Sequence, residues 1–178
     1  MRTTRLLPTL AAIAVLSACA AQRKPLPPAA LPAPPPRPVA TSIPAPPPTD
    51  WRDAPLTPGT WRYETTAGGS QAQFAADATT LLATLRCDRD AGQIALQRVG
   101  AAAGPVPLSI TTNVATRAFT ATPQADPTPQ LALLLPARDP VLDAMAFSRG
   151  RFVIEVAGLP TLYLPAWPEV GRVIEDCR

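Results

Sequence analysis

Residues 59–178 predict a mainly β domain, a small antiparallel β-sandwich or barrel of about eight or nine short strands with two short helices. Three observations carry this prediction. Apolar and polar residues alternate with period two through a succession of short runs. Glycine- or proline-bearing turns separate the runs. Only two segments of the domain switch to helical spacing. From Trp51 the chain has 128 residues, enough for one core that buries about two-thirds of the chain surface.

The strands follow in order. Trp61, Tyr63 and Thr65 alternate with Arg62 and Glu64, and Ala67-Gly68-Gly69-Ser70 turns the chain. Ala72 and Phe74 then alternate with Gln71 and Gln73 on the return, which completes a hairpin. Residues 81–87 and 93–99 flank a turn at 88–92 that ends in glycine, a second hairpin. Leu108, Ile110 and Thr112 mark a fifth strand, residues 117–121 around Phe119 a sixth, and residues 131–135 a seventh. Phe152, Ile154 and Val156 face one way while Arg151, Val153 and Glu155 face the other. Residues 161–164 form a last strand after Gly158-Leu159-Pro160.

Two segments read as helices. Asp139 suits an N-cap and Pro140 the first helical position, because proline's missing N–H has no partner there anyway. Val141, Leu142, Met145 and Ala146 follow at helical spacing, up to Ser148-Arg149-Gly150. In residues 168–176 and just beyond, Val170, Val173, Ile174 and Cys177 recur at i, i+3, i+4 and i+7, which turns Cys177 toward the core. Cys87 shares a strand face with Leu81, Ala83 and Leu85, taken as the inward face. A Cys87–Cys177 disulfide is therefore expected, tying the C-terminal helix to the sheet; two buried free thiols are the rival reading.

The third cysteine belongs to a different argument. Residues 1–18 carry Arg2 and Arg5 ahead of an apolar stretch, 6–16, that is too short to span a bilayer and suits the core of a signal peptide. Leu16-Ser17-Ala18-Cys19 follows and resembles the bacterial lipobox, in which the cysteine is acylated and becomes the new N-terminus. The resemblance implies a lipoprotein held to the membrane through acyl chains, palmitate among them, on Cys19. Each buried methylene adds about 0.8 kcal/mol to such an anchor. Alanine at position 20, in place of the aspartate of an inner-membrane retention signal, implies the periplasmic face of the outer membrane. The competing reading is an ordinary signal peptide with a chance cysteine.

Residues 19–58 read as a tether. Fourteen of the 25 prolines lie between positions 25 and 58, separated mainly by alanine. Proline fixes φ and removes the backbone donor, so the stretch favours polyproline II and no regular hydrogen-bonded structure. At about 3.1 Å per residue it reaches up to about 100 Å, a spacer that holds the domain clear of a membrane. Pro32-Ala33-Pro34-Pro35-Pro36-Arg37 also fits a PxxPxR docking pattern.

Charge and chemistry narrow the function classes. The net charge of +3 comes from the first 37 positions, which hold five of the 16 basic residues. From Trp51 on, 11 arginines face 12 acids. A nucleic-acid binder needs basic residues gathered on its folded part, so no nucleic-acid partner is expected. The chain has no histidine, which removes Ser-His, Cys-His and His-metal arrangements together. Its single lysine, Lys24, lies at the start of the tether, far from Ser70, Ser109 and Ser148. Asp88/Asp90 and Glu175/Asp176 read as solvated surface, and Asp88-Arg89-Asp90 lacks the ligand number of a calcium loop. The expectation is a protein that is not an enzyme and uses no cofactor or metal.

The candidate contact surface is Arg138, Arg149 and Arg151, which bracket the first helix, with Trp51 at the tether junction and Trp167 between two prolines. Guanidinium forks suit carboxylates, whether of peptidoglycan peptides or of an acidic envelope protein. The alternative is that these arginines pair with Asp139, Asp143 and Glu155, and that the tryptophans only pack.

Larger stretches carry a resemblance. Arg138-Asp139-Pro140, Phe147-Ser148-Arg149-Gly150-Arg151-Phe152, Trp167-Pro168-Glu169 and Glu175-Asp176-Cys177 resemble an uncharacterised family of alphaproteobacterial envelope lipoproteins. So do Trp51-Arg52-Asp53, Thr60-Trp61-Arg62-Tyr63 and Leu85-Arg86-Cys87-Asp88. The order helix, strand, Gly-Leu turn and last strand is similar to the invasion-associated locus B family of periplasmic proteins. These resemblances imply a β-sandwich in the periplasm and no catalytic residues. The resulting expectation is a structural or accessory binding module of the cell envelope; a peptidoglycan-binding module, or an inhibitor of a wall-degrading enzyme, is the alternative.

Overall fold

The computed structural model describes residues 50–124 and 127–178. The expected signal peptide, Cys19 and the tether up to Thr49 lie outside the described residues. Among those described, the elements in chain order are β1 (Thr60–Thr66), β2 (Gly69–Ala75), β3 (Leu81–Asp88), β4 (Gln93–Val99), β5 (Val106–Thr111), β6 (Thr116–Gln124), β7 (Gln130–Pro136), α1 (Pro140–Ala146), β8 (Arg151–Val156), β9 (Leu162–Pro165) and α2 (Pro168–Asp176). The nine strands form one antiparallel sheet in the order β1-β2-β3-β4-β7-β6-β5-β8-β9. Of the two architectures open to the sequence, the structure is the barrel-like one, a single sheet curled into a half-barrel.

Local chemistry accounts for each hairpin. Trp61 pairs across β1 and β2 with Phe74, and Tyr63 with Ala72, which keeps the apolar residues of both strands on one face. Gly69 is at the turn because a Cβ there would stand 2.7 Å from the Cys87 carbonyl oxygen. Gly92 closes the β3–β4 turn at φ +61°, where glycine has no steric penalty. β6 joins the two parts of the sheet: positions 116–121 pair with β5, and positions 122–124 pair with β7. Its continuation to Gln124 exceeds the segment that alternation marks, because pairing with β7 extends it.

Contacts between remote residues curl the sheet. The Trp61 ring meets Phe74 edge-on at 5.2 Å and stacks on Phe152 of β8 at 6.5 Å. Its indole Nε1 donates to the Pro165 carbonyl at 2.9 Å. The two ends of the sheet, β1 and β9, are thus drawn together around one buried aromatic cluster. Phe74, Leu85, Ile94, Leu96, Ile110, Leu131, Phe152 and Leu164 complete the interior with essentially no exposure.

The folded part begins earlier than residue 59. Ala54 is buried, its carbonyl accepts a hydrogen bond from the Arg151 side chain, and Thr57 exchanges bonds with Tyr163 of β9, each 2.9 Å long. The last stretch of the expected tether is therefore part of the domain. It also explains Val153. Alternation places this residue outward with Arg151, yet it is 2% exposed, because the 54–57 segment lies along that face.

Both helices form where the sequence places them. Asp139 caps α1, its carboxylate accepting from the Val141 N–H at 2.9 Å, and Pro140 occupies the first turn. α2 packs on β1, β2, β3 and α1 through Val170, Val173 and Ile174. Cys87 and Cys177 stand at disulfide distance, with Cα atoms 5.5 Å apart and 90 residues between them in sequence.

Sequence patterning does not show Arg98. Its side chain enters the interior, the residue is 5% exposed, and the guanidinium donates to the carbonyls of Leu82 (3.2 Å), Val99 (2.5 Å) and Pro160 (3.3 Å). Burial lowers its pKa from the ordinary arginine value. The residue links β3 and β4 to the β8–β9 turn, so it works as a brace of the curled sheet.

Candidate functional site

Three of the five candidate residues meet in one cleft. Trp51, Arg149 and Arg151 line it together with Arg52, Asn113 and Gly150, around about 490 Å³ of space. That volume falls in the range of small-ligand sites, about 300–1,000 Å³. Three chain segments supply the lining, and named bonds join them. The Asn113 N–H donates to Ser148 Oγ at 3.1 Å, and Ser148 Oγ in turn donates to the Arg151 carbonyl at 2.5 Å. Ala166 N donates to the Gly150 carbonyl at 3.2 Å, which sets the β9–α2 connection beside the cleft. The Arg151 guanidinium holds the Ala54 carbonyl, which fixes the turn bearing Trp51.

The positive charges of this cleft are unequal in availability. Arg52 lies 4.6 Å above the Trp51 ring and pairs with Asp50 at 3.2 Å. The Arg52 N–H bond, with its guanidinium, holds the Asp50 carboxyl below the usual carboxylate range. Arg149 is exposed and has no ion-pair partner among the described residues. The acids that could have neutralised the arginines are engaged elsewhere. Asp139 pairs with Arg117 at 2.6 Å, Asp143 with Arg178 at 2.8 Å, and Glu155 accepts from Ser109 at 3.2 Å. Chemically, the site offers free guanidinium donors beside an indole, a setting that favours carboxylates and other planar anions.

The other two candidates fall in different places. Arg138 lies in a second cleft of about 440 Å³, with Arg89, Asp176, Cys177 and Arg178 among its lining residues. Trp167 is 39% exposed at the N-cap of α2 and does not line the cleft; it follows Ala166, whose N–H is bonded to the Gly150 carbonyl. Sequence reasoning missed Arg52 and Asn113. Arg52 sits next to Trp51, a signal that was available; Asn113 reaches the cleft only through its bond to Ser148, for which no local signal exists.

A third cluster lies at α2. The Tyr63 hydroxyl donates to Asp176 Oδ2 at 2.6 Å, and Arg172 stacks over the Tyr63 ring at 4.0 Å. The Tyr63 bond, aided by the positive charges of Arg172 and Arg89, holds the Asp176 carboxyl below its ordinary value.

Compared with protein-family models, with curated proteins and with solved structures, the chain has no match.

Proposed function

We propose that the protein is a lipid-anchored periplasmic protein of the bacterial outer membrane, attached through Cys19, whose half-barrel serves the cell envelope as an accessory binding module. It acts by binding, without catalysis, and the cleft of Trp51, Arg149 and Arg151 is its contact surface. The observation that supports this reading is that Arg149, which has no ion-pair partner among the described residues, shares a cleft with the Trp51 indole near the start of the folded domain. A site near the start of the domain suits capture of something held apart from the membrane, given the reach of the expected spacer.

A second reading shares the cleft. Its volume suits a single small group, and the peptide stems of peptidoglycan carry carboxylates that a guanidinium fork accepts. The resemblance to alphaproteobacterial envelope lipoproteins fits both readings, whereas the β-sandwich implied by the likeness to the locus B family is not the fold found, which is a single curled sheet.

Two experiments test the proposal. Fatty-acid labelling of the wild type and of Cys19→Ser is expected to show label only in the former, with the variant lost from the membrane fraction; label-free wild type overturns the anchor. Sedimentation of the full chain with purified sacculi, compared with Arg149→Glu, separates the readings. Co-sedimentation that Arg149→Glu abolishes favours the wall, and recovery only with a protein partner favours the accessory role.

A further inference from the structure

We propose that the end of the half-barrel around Arg149 is a docking surface for an acidic protein segment that also carries large apolar side chains. This rests on the binding-module reading and names the partner class it requires. Two kinds of group converge there. The first is the arginine cleft, where the Asp50 carboxylate is already paired with Arg52 and Arg149 has no ion-pair partner among the described residues.

The second is a set of apolar side chains in water. Val114 and Phe147 are 75% and 76% exposed, the most exposed large apolar residues among those described. Phe147 closes the end of α1, and Val114 lies in the turn between β5 and β6. The bond from Asn113 N to Ser148 Oγ holds their chain neighbours together, so these two residues flank one hydrogen bond at the rim of the cleft. Trp167, also exposed, follows Ala166, which is bonded to Gly150 of the same cleft. Trp51 lies within the cleft itself. Scattered apolar residues on a surface mean little, but exposed aromatic residues on segments bonded to the cleft, next to an arginine with no ion-pair partner among the described residues, have the composition of a binding hot spot.

Charge and apolar surface together select the occupant. A small anion or a wall peptide would satisfy the guanidinium and leave Phe147, Val114 and Trp167 in water. A neutral apolar segment would cover those three and leave Arg149 desolvated without a partner, which costs more than it returns. A segment that alternates acidic with large apolar residues meets both needs: its carboxylates reach Arg149 and Arg151 while its apolar side chains cover the rim.

The test uses the full chain, in detergent micelles where acylated, and four probes followed by tryptophan fluorescence and calorimetry. The first is a synthetic twelve-residue peptide alternating Asp or Glu with Leu or Phe. The second replaces its acids by Asn and Gln, the third replaces its apolar residues by Ser, and the fourth is a purified muropeptide. The first peptide is expected to bind, with affinity falling as salt rises, and the second and third to bind about tenfold more weakly. Arg149→Glu is expected to weaken the first peptide about tenfold and Phe147→Ser several-fold, each with an unchanged circular dichroism spectrum. Equal binding of the amide or serine peptides, or no loss in Phe147→Ser, overturns the proposal. Muropeptide binding that Arg149→Glu abolishes, with no peptide bound, overturns the docking surface but leaves the cleft a binding site. Failure of all four probes overturns both.

Discussion

Two clefts on this half-barrel are lined by arginines, and they differ in what the arginines already hold. Near α2, Arg178 pairs with Asp143 at 2.8 Å and Glu175 at 3.6 Å and donates to the Ala137 carbonyl at 3.0 Å, while Arg89 donates to the Asp176 carbonyl at 3.0 Å. Those guanidiniums tie α2 to α1 and to the turns beneath them. At the other cleft Arg149 has no partner of this kind among the described residues, and Arg151 spends one donor on Ala54. The same residue type is a fastening in one place and an open contact in the other. What separates them is the supply of carboxylates and carbonyls brought near by the fold, not the number of arginines in the sequence.

The largest expected effect lies at the fastened cleft. Opening the Cys87–Cys177 pair, by reductant or by a double serine substitution, frees a 90-residue loop. The chain-entropy model allows a loss of about 4–5 kcal/mol. A denaturant titration with and without reductant measures it, and identical midpoints would show that the thiols are unbridged.

Arg98→Ala comes next. It leaves the Leu82, Val99 and Pro160 carbonyls without their donor, at a cost of about 2–3 kcal/mol. A urea midpoint close to wild type would mean that the brace carries nothing.

The two clefts are then compared directly. Arg178→Ala removes a half-exposed ion pair and is expected to cost about 0.5–1 kcal/mol while leaving peptide binding intact. Arg149→Ala is expected to change stability by less than about 0.5 kcal/mol while reducing binding. If the two variants behaved alike in both assays, the distinction between fastening and contact would fall.

Acid gives the smallest effect. Asp77 accepts the N–H groups of Thr79 and Thr80 and both hydroxyls, and these bonds lower its pKa from 3.8 to about 2. A carboxyl whose folded pKa is depressed stabilises the fold above its unfolded pKa and loses that contribution as pH falls through the folded one. The contribution of Asp77 is therefore complete above about pH 5 and is lost progressively as pH falls through about 2. Asp77→Asn should differ from wild type at neutral pH and converge with it as pH falls through about 2, read as denaturant midpoints across that range; a gap that persists below that pH would place the effect elsewhere. Asp176 shifts in the same direction through Tyr63, so Tyr63→Phe should flatten the acid limb further.

Much of the architecture was legible because it depends on neighbours in sequence. Period-two alternation at Trp61, Tyr63, Ala72 and Phe74 marks two strands, and the glycines between them make these a hairpin. The Asp139-Pro140 pair starts a helix by its own chemistry, and the i, i+3, i+4, i+7 spacing of Val170, Val173, Ile174 and Cys177 gives α2 its buried side. The cysteine pairing followed from two inward faces. The site was legible in part: Trp51, Arg149 and Arg151 meet in one cleft, whereas Arg138 shares another with Arg89 and Arg178. Nothing local could assign Asp139 to Arg117 or Asp143 to Arg178, since those partners lie 22 and 35 positions away.

What remained was decided by contacts between distant parts of the chain. Proline density assigned residues 50–58 to the tether, yet Ala54 and Thr57 are held by Arg151 and Tyr163, about a hundred residues further on. Whether nine strands make two layers or one curled sheet depends on Trp61 reaching Phe152 and Pro165, which no single strand encodes. Backbone propensity, caps and periodicity act within a few residues, so the sequence alone suffices to place strands, helices and the cysteines' faces. Closure of the sheet, burial of Arg98 and the freedom of Arg149 follow from which residues compete for the same partners in space, and only the folded arrangement sets that competition.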